Sequence, residues 1–76
     1  MVFLIEYARS EGRIVRMFEF RDADRAKAEN ARLELELRLN REAIDHEIVL
    51  LDAASEKALR RTHGRYFDEL ESVTPK

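Results

Sequence analysis

Apolar residues crowd both sides of two short runs at the start of the numbering. Residues 2–9 and 13–20 are rich in β-branched and aromatic side chains, the composition of strands. Between them, Ser10-Glu11-Gly12 has the form of a three-residue hairpin loop, a type I turn closed by a left-handed glycine. Placing Arg9 opposite Arg13 sets Glu6 opposite Arg16, Ile5 opposite Met17, Leu4 opposite Phe18 and Val2 opposite Phe20. Directly opposed side chains share a face. One face then carries Val2, Leu4, Ala8, Ile14, Phe18 and Phe20 around the Glu6–Arg16 pair. The other carries Phe3, Ile5, Tyr7, Val15 and Met17, with Glu19. An antiparallel hairpin normally shows one polar face to water; this one has none.

Residues 23–41 are dominated by Ala, Leu, Glu, Arg and Lys, all strong helix formers. Asp22 or Asp24 is placed to cap the first turn, where the helix dipole also favours a carboxylate. Arg25 with Glu29, and Glu34 with Arg38, are opposite charges at i,i+4 spacing. The stretch Leu33-Glu34-Leu35-Glu36-Leu37-Arg38-Leu39 alternates with period two, as a strand would. It has no β-branched residue and continues a helical run without a turn signal, so it reads as helix. Its leucines then divide. Ala28, Ala31, Leu35 and Leu39 line one side, and Ala26, Leu33, Leu37 and Ile44 roughly the opposite side. One stripe covers a sheet; the other needs a second cover.

Residues 46–52 form a short β-branched run bounded by charges, a third strand. Ser55 follows as an N-cap, with Ala54 and Leu59 spaced for a hydrophobic staple. Leu59, Thr62, Tyr66 and Leu70, with Ala58, recur at helical spacing. Gly64 weakens this second helix, which stops there or runs on to about residue 70. The order ββαβα predicts a two-layer α+β domain over residues 1–71, with residues 72–76 as a frayed tail. Its sheet is three-stranded and antiparallel, in the order 2-1-3. Both helices are expected on one face, leaving the other bare.

Length sharpens the problem of the surplus apolar surface. A chain of 76 residues makes one small domain, and such domains usually add a disulfide, a metal or a second subunit. Cysteine is absent, which removes disulfides and cysteine-ligated zinc. The apolar fraction of 45 % marks a folding chain. The charge is mixed, 14 basic against 16 acidic residues and net −2, so no global field attracts polyanions or anionic membranes. The first apolar run has no basic flank and is too short for a signal peptide or a membrane span. These features point to a cytoplasmic protein with no membrane partner.

Four groups of residues are candidates for chemistry or binding. Lys57, Arg60, Arg61 and Arg65, near His63, give residues 55–67 four basic and one acidic side chain. They could grip phosphates, with Tyr66 or Phe67 stacking on a base. The plainer reading is a solvated basic face that partly answers Asp45, Glu47 and Asp52. Asp45-His46-Glu47 and His63 hold metal-ligating side chains, but no ligand spacing. Glu6 with Arg16, joined by Glu19, could activate an acid, or simply pair two strands. The fourth is the outer leucine stripe, Leu33 and Leu37. Nucleotide-binding, serine-hydrolase and metalloprotease signatures are absent, and two glycines cannot build a phosphate cradle.

No cofactor, metal or catalytic residue is implied. The reading that results is a non-catalytic interaction or regulatory module that self-associates as a homodimer. Its interface is the outer stripe (Leu33, Leu37) or the free sheet face (Phe3, Ile5, Tyr7, Val15, Met17). The alternative is nucleic-acid or anion binding through Lys57, Arg60, Arg61 and Arg65.

Overall fold

In the computed structural model, residues 1–64 are described. Strands β1 (Val2–Ala8), β2 (Arg13–Phe20) and β3 (Glu47–Asp52) form one antiparallel sheet in the order β2-β1-β3. Helix α1 (Arg25–Arg41) connects β2 to β3, and α2 (Glu56–Thr62) follows β3. The fold is α+β, with the strand order that the apolar runs predict. The expected tail and any helix beyond Gly64, with Arg65, Tyr66, Phe67 and Leu70, lie outside the described residues.

The hairpin reaches its expected register by an unexpected route. The loop holds Arg9 to Gly12, one residue more than predicted. Ala8 C=O accepts from the N–H groups of Glu11 (3.1 Å) and Gly12 (2.7 Å), and Gly12 takes φ +66°. Ala8, not Arg9, therefore faces Arg13, and Tyr7 faces Ile14. A bulge then leaves Val15 without an opposite residue, and from Glu6↔Arg16 to Val2↔Phe20 the pairing is as predicted. An extra residue in one strand offsets the longer loop. The bulge also moves Ile14 to the face of Phe3 and Ile5, against which it packs.

The two helices lie on opposite faces of the sheet, not on one. The inner side of α1, with Ala28, Leu35 and Leu39 buried, packs on the face of Leu4 over β1 and β3, leaving Phe18 of β2 44 % exposed beside it. On the other face, Leu59 of α2 completes a core with Phe3 and Ile5. Met1, Tyr7, Met17, Val49, Leu51 and Ala53 pack around it. The physical reason is β1 itself. Val2, Phe3, Leu4 and Ile5 are all at most 1 % exposed, and side chains alternate across a strand, so each face needs its own cover.

The ends of α1 are tied by means other than side-chain caps. Asp22–Asp24 form a 3-10 turn before the helix, and neither aspartate caps a backbone N–H. Asp22 instead meets the Met1 ammonium group at 2.8 Å, and Asp24 stands beside Arg21 and Lys27. Arg25 passes over Glu29 and reaches Asp52 at the end of β3, with guanidinium–carboxylate distances of 2.6 and 3.2 Å. The hydrogen bond from Arg25, helped by its charge, holds the Asp52 carboxyl below its usual range. A depressed carboxyl contributes stability above the unfolded-state pKa and loses it as pH falls through the folded-state value.

At the other end, Ala43 N–H bonds Asn40 C=O (3.2 Å) and Ile44 N–H bonds Leu39 C=O (2.8 Å). This is a Schellman closure. Its left-handed position is filled by Ala43 at φ 58°, where glycine avoids the Cβ penalty. For α2, the Ser55 cap forms as predicted, its Oγ accepting from Ala58 N–H at 3.2 Å. Ala54 is exposed, while Ala53 joins the core with Leu59.

Ala43→Gly is expected to raise stability by about 0.5–1 kcal/mol, read from the urea midpoint at unchanged slope. In Arg25→Ala, the Asp52 carboxyl should titrate at a higher pH than in the parent chain, because the hydrogen bond and charge that depress it are gone. Side-chain NMR over pH 2–6 measures both midpoints.

Candidate functional site

Two of the candidate groups become one in space. Glu6 lies in the middle of β1 on the face that α1 covers, flanked by Arg16 on β2 and Ile48 on β3. His46 precedes Ile48 by two residues and so falls on the same side of the sheet. Its Nδ1 lies 2.6 Å from Glu6 Oε2. Arg16 Nε stands 3.4 Å from the other oxygen, Oε1. That contact is an ion pair without hydrogen-bond geometry, and Oε1 has no hydrogen-bond partner among the described residues. The Glu6 side chain is only 4 % exposed.

A carboxylate this close to Nδ1 holds the imidazole ring in one orientation. His46 borders a cleft of about 200 Å³ with Glu36, Leu39, Asn40, Ile44 and Ile48. Among the described residues, no hydroxyl nucleophile lines that cleft. Ser10 is in the hairpin loop and Ser55 caps α2, as their sequence contexts predict. Among the described residues, no three His, Asp or Glu side chains converge as metal ligands. The cluster joins β2 and the segment just before β3 to one buried carboxylate on β1. Glu19, expected to join it, faces Phe3 across the strands instead and is exposed.

The sheet face offered as a free surface is not free. Phe3 and Ile5 are fully buried beneath Leu59, with Tyr7 and Met17 packed against them. Val15 is the bulged residue of β2. Apart from Val15, this half of the predicted interface belongs to the core, because α2 docks where a bare face is expected. The outer stripe is different. Leu33 and Leu37 are 55 % and 54 % exposed, one turn apart on the side of α1 away from the sheet, whereas Ile44, expected to extend that stripe, lies past the helix end beside Leu39 and Ile48.

On α2, Lys57, Arg60 and Arg61 are exposed as expected. Arg60, however, is held by Glu56 one turn earlier, at 2.9 and 3.2 Å. Arg65 lies outside the described residues. Two of the three acidic groups set against this face pair elsewhere: Glu47 meets Arg9 at 3.5 Å, and Asp52 meets Arg25.

Two features escaped the sequence. One is the His46–Glu6 contact, which the register of β3 on β1 would have revealed. The other is a groove of about 190 Å³ between α1 and β2, floored by Leu4, Phe18, Phe20 and Leu35 with Arg16 and Arg38 at its rim. Among the described residues, no helix is long and apolar enough to cross a membrane.

Removing the imidazole leaves a buried carboxylate short of a partner. His46→Ala is expected to cost about 1–3 kcal/mol. The same change in a Glu6→Gln background should cost less, with a coupling of about 0.5–3 kcal/mol in a double-mutant cycle of urea denaturation.

No family model, no curated protein and no solved structure matches the chain, so its function must be argued from its own residues.

Proposed function

We propose that this protein is a small, non-catalytic interaction module that self-associates as a homodimer through the outer face of α1. One observation carries the reading: Leu33 and Leu37 form an apolar stripe, each more than half exposed, on a helix whose inner face is already satisfied by the sheet. Single exposed leucines are ordinary. Two at helical spacing, with Ala26 exposed two turns before Leu33, make a seam of the kind helices bury against each other. A second copy is the simplest cover because every copy presents the same seam.

The energetics bound the strength. Full burial of a leucine contributes roughly 1.5–3 kcal/mol. Two copies supply four leucines, each with about half its surface left to bury, or roughly 3–6 kcal/mol in all. A micromolar dimer requires about 8 kcal/mol net of the cost of association. The leucines supply less than that even before the cost of association, so the dimer is at best millimolar and forms only at high concentration.

The anion-binding alternative has less behind it, since Arg60 is already occupied by Glu56. The buried position of Glu6 and the absence of a nucleophile beside His46 favour a structural role for that cluster over catalysis.

Light scattering after size exclusion, from tens of micromolar to the millimolar range, is expected to show mass rising from 9.0 kDa towards twice that value. Leu33→Glu with Leu37→Glu should hold the mass at the monomer while the circular dichroism spectrum stays that of the parent. A double variant that dimerises like the parent would remove the stripe from the interface.

A further inference from the structure

The flanks of the stripe specify how two copies meet. With Leu33 and Leu37 at positions d and a of a heptad, Asn30 falls at a, and Ala26 and Asn40 fall at d. All five side chains are exposed. The flanking positions are e, with Lys27, Glu34 and Arg41, and g, with Glu29 and Glu36; these are exposed too. One flank is acidic and the other mostly basic.

Two arrangements bury the leucines about a two-fold axis. In an antiparallel pair, Leu33 packs on Leu37 of the second copy, and like positions meet: e with e, and g with g. Glu34 then faces Glu34, Glu36 faces Glu36 and Lys27 faces Arg41, so every charged flank contact is between like charges. In a parallel pair, each g position meets the e position five residues on in the second copy. Glu36 faces Arg41 and Glu29 faces Glu34, one attractive contact and one repulsive. The core layers also differ. Parallel pairing sets Asn30 beside Asn30, where a polar residue at an a position can hydrogen-bond its own copy and fix the register.

We infer that the partner of α1 is α1 of a second copy in parallel orientation, with the two-fold axis along the helices, Leu33 on Leu33, Leu37 on Leu37, Asn30 on Asn30 and Glu36 against Arg41. This rests on the self-association reading above and adds an orientation, a register and a charge pairing to it. The flanks act mainly by disfavouring the antiparallel alternative, whose charged contacts are all between like charges, while the parallel pair balances one attraction against one repulsion; penalising the wrong arrangement is one way paired helices achieve specificity.

The chain has no cysteine, so single Asn30→Cys and Asn40→Cys variants report proximity cleanly. Under mild oxidation at a concentration where the parent is dimeric by light scattering, each variant should cross-link to itself. An equimolar mixture should form almost none of the mixed disulfide, because positions 30 and 40 lie about 15 Å apart along parallel helices. Predominance of the mixed product would mean an antiparallel pair and would overturn the inference while leaving the dimer standing. A dimer in which neither variant cross-links would place the interface elsewhere. A parent that stays monomeric throughout the concentration series would remove the self-association reading itself.

Charge variants give a second test that leaves the asparagines in place. Arg41→Glu should weaken a parallel dimer roughly threefold to tenfold at low salt, and adding Glu36→Arg should restore it. In an antiparallel dimer Arg41→Glu would instead tighten association, by setting a glutamate against Lys27.

Discussion

Everything in this structure follows from one strand being buried on both sides. β1 lies between β2 and β3, and its residues from Val2 to Ile5 are closed to solvent on either face. A strand in that position accepts no polar side chain without a partner at hand. It also demands a cover above and below the sheet. α1 supplies one and α2 the other. The single acidic residue within β1, Glu6, is tolerated because a guanidinium reaches it from β2 and an imidazole from the start of β3. Two independent elements converge on that carboxylate, so the cluster reads out whether both edge strands are in register.

Local signals were sufficient where neighbours in sequence are neighbours in space. The strands, the long helix, the third strand and the Ser55 cap were legible because composition, periodicity and capping chemistry act within a few residues. The Glu6–Arg16 pair was legible because a hairpin converts sequence spacing directly into register. The loop was misjudged by one residue, and the bulge that compensates it has no local signature at Ile14-Val15, two β-branched residues that suit any strand position.

Long-range placement was less accessible. Both helices were expected on one face because nothing local says which way α2 turns after β3. Leu59 decides it by completing a core with Phe3 and Ile5, and that choice withdrew the sheet face from the candidate surfaces. Capping at Asp22 and Asp24 failed because stronger charged partners, the Met1 ammonium group and nearby basic side chains, compete for those carboxylates. The same logic redirected Arg25 from Glu29 to Asp52. The doubled leucine pattern, by contrast, survived intact: α1 buries one stripe and exposes the other.

The bulge at Val15 has a further consequence for how the protein avoids the wrong assemblies. β2 is an edge strand, and an open edge is a template onto which another chain can add hydrogen bonds. A uniform edge would invite stacking of one sheet onto the next without limit. The extra residue interrupts the repeat of donors and acceptors along β2 and twists the edge locally. Arg13, Arg16 and Glu19 on the same strand are exposed, so a stacking copy would have to accommodate their charges. An irregularity that first serves to reconcile a long loop with the register thus also works as a guard against runaway sheet growth, in a molecule whose small size leaves it little else to shield that edge.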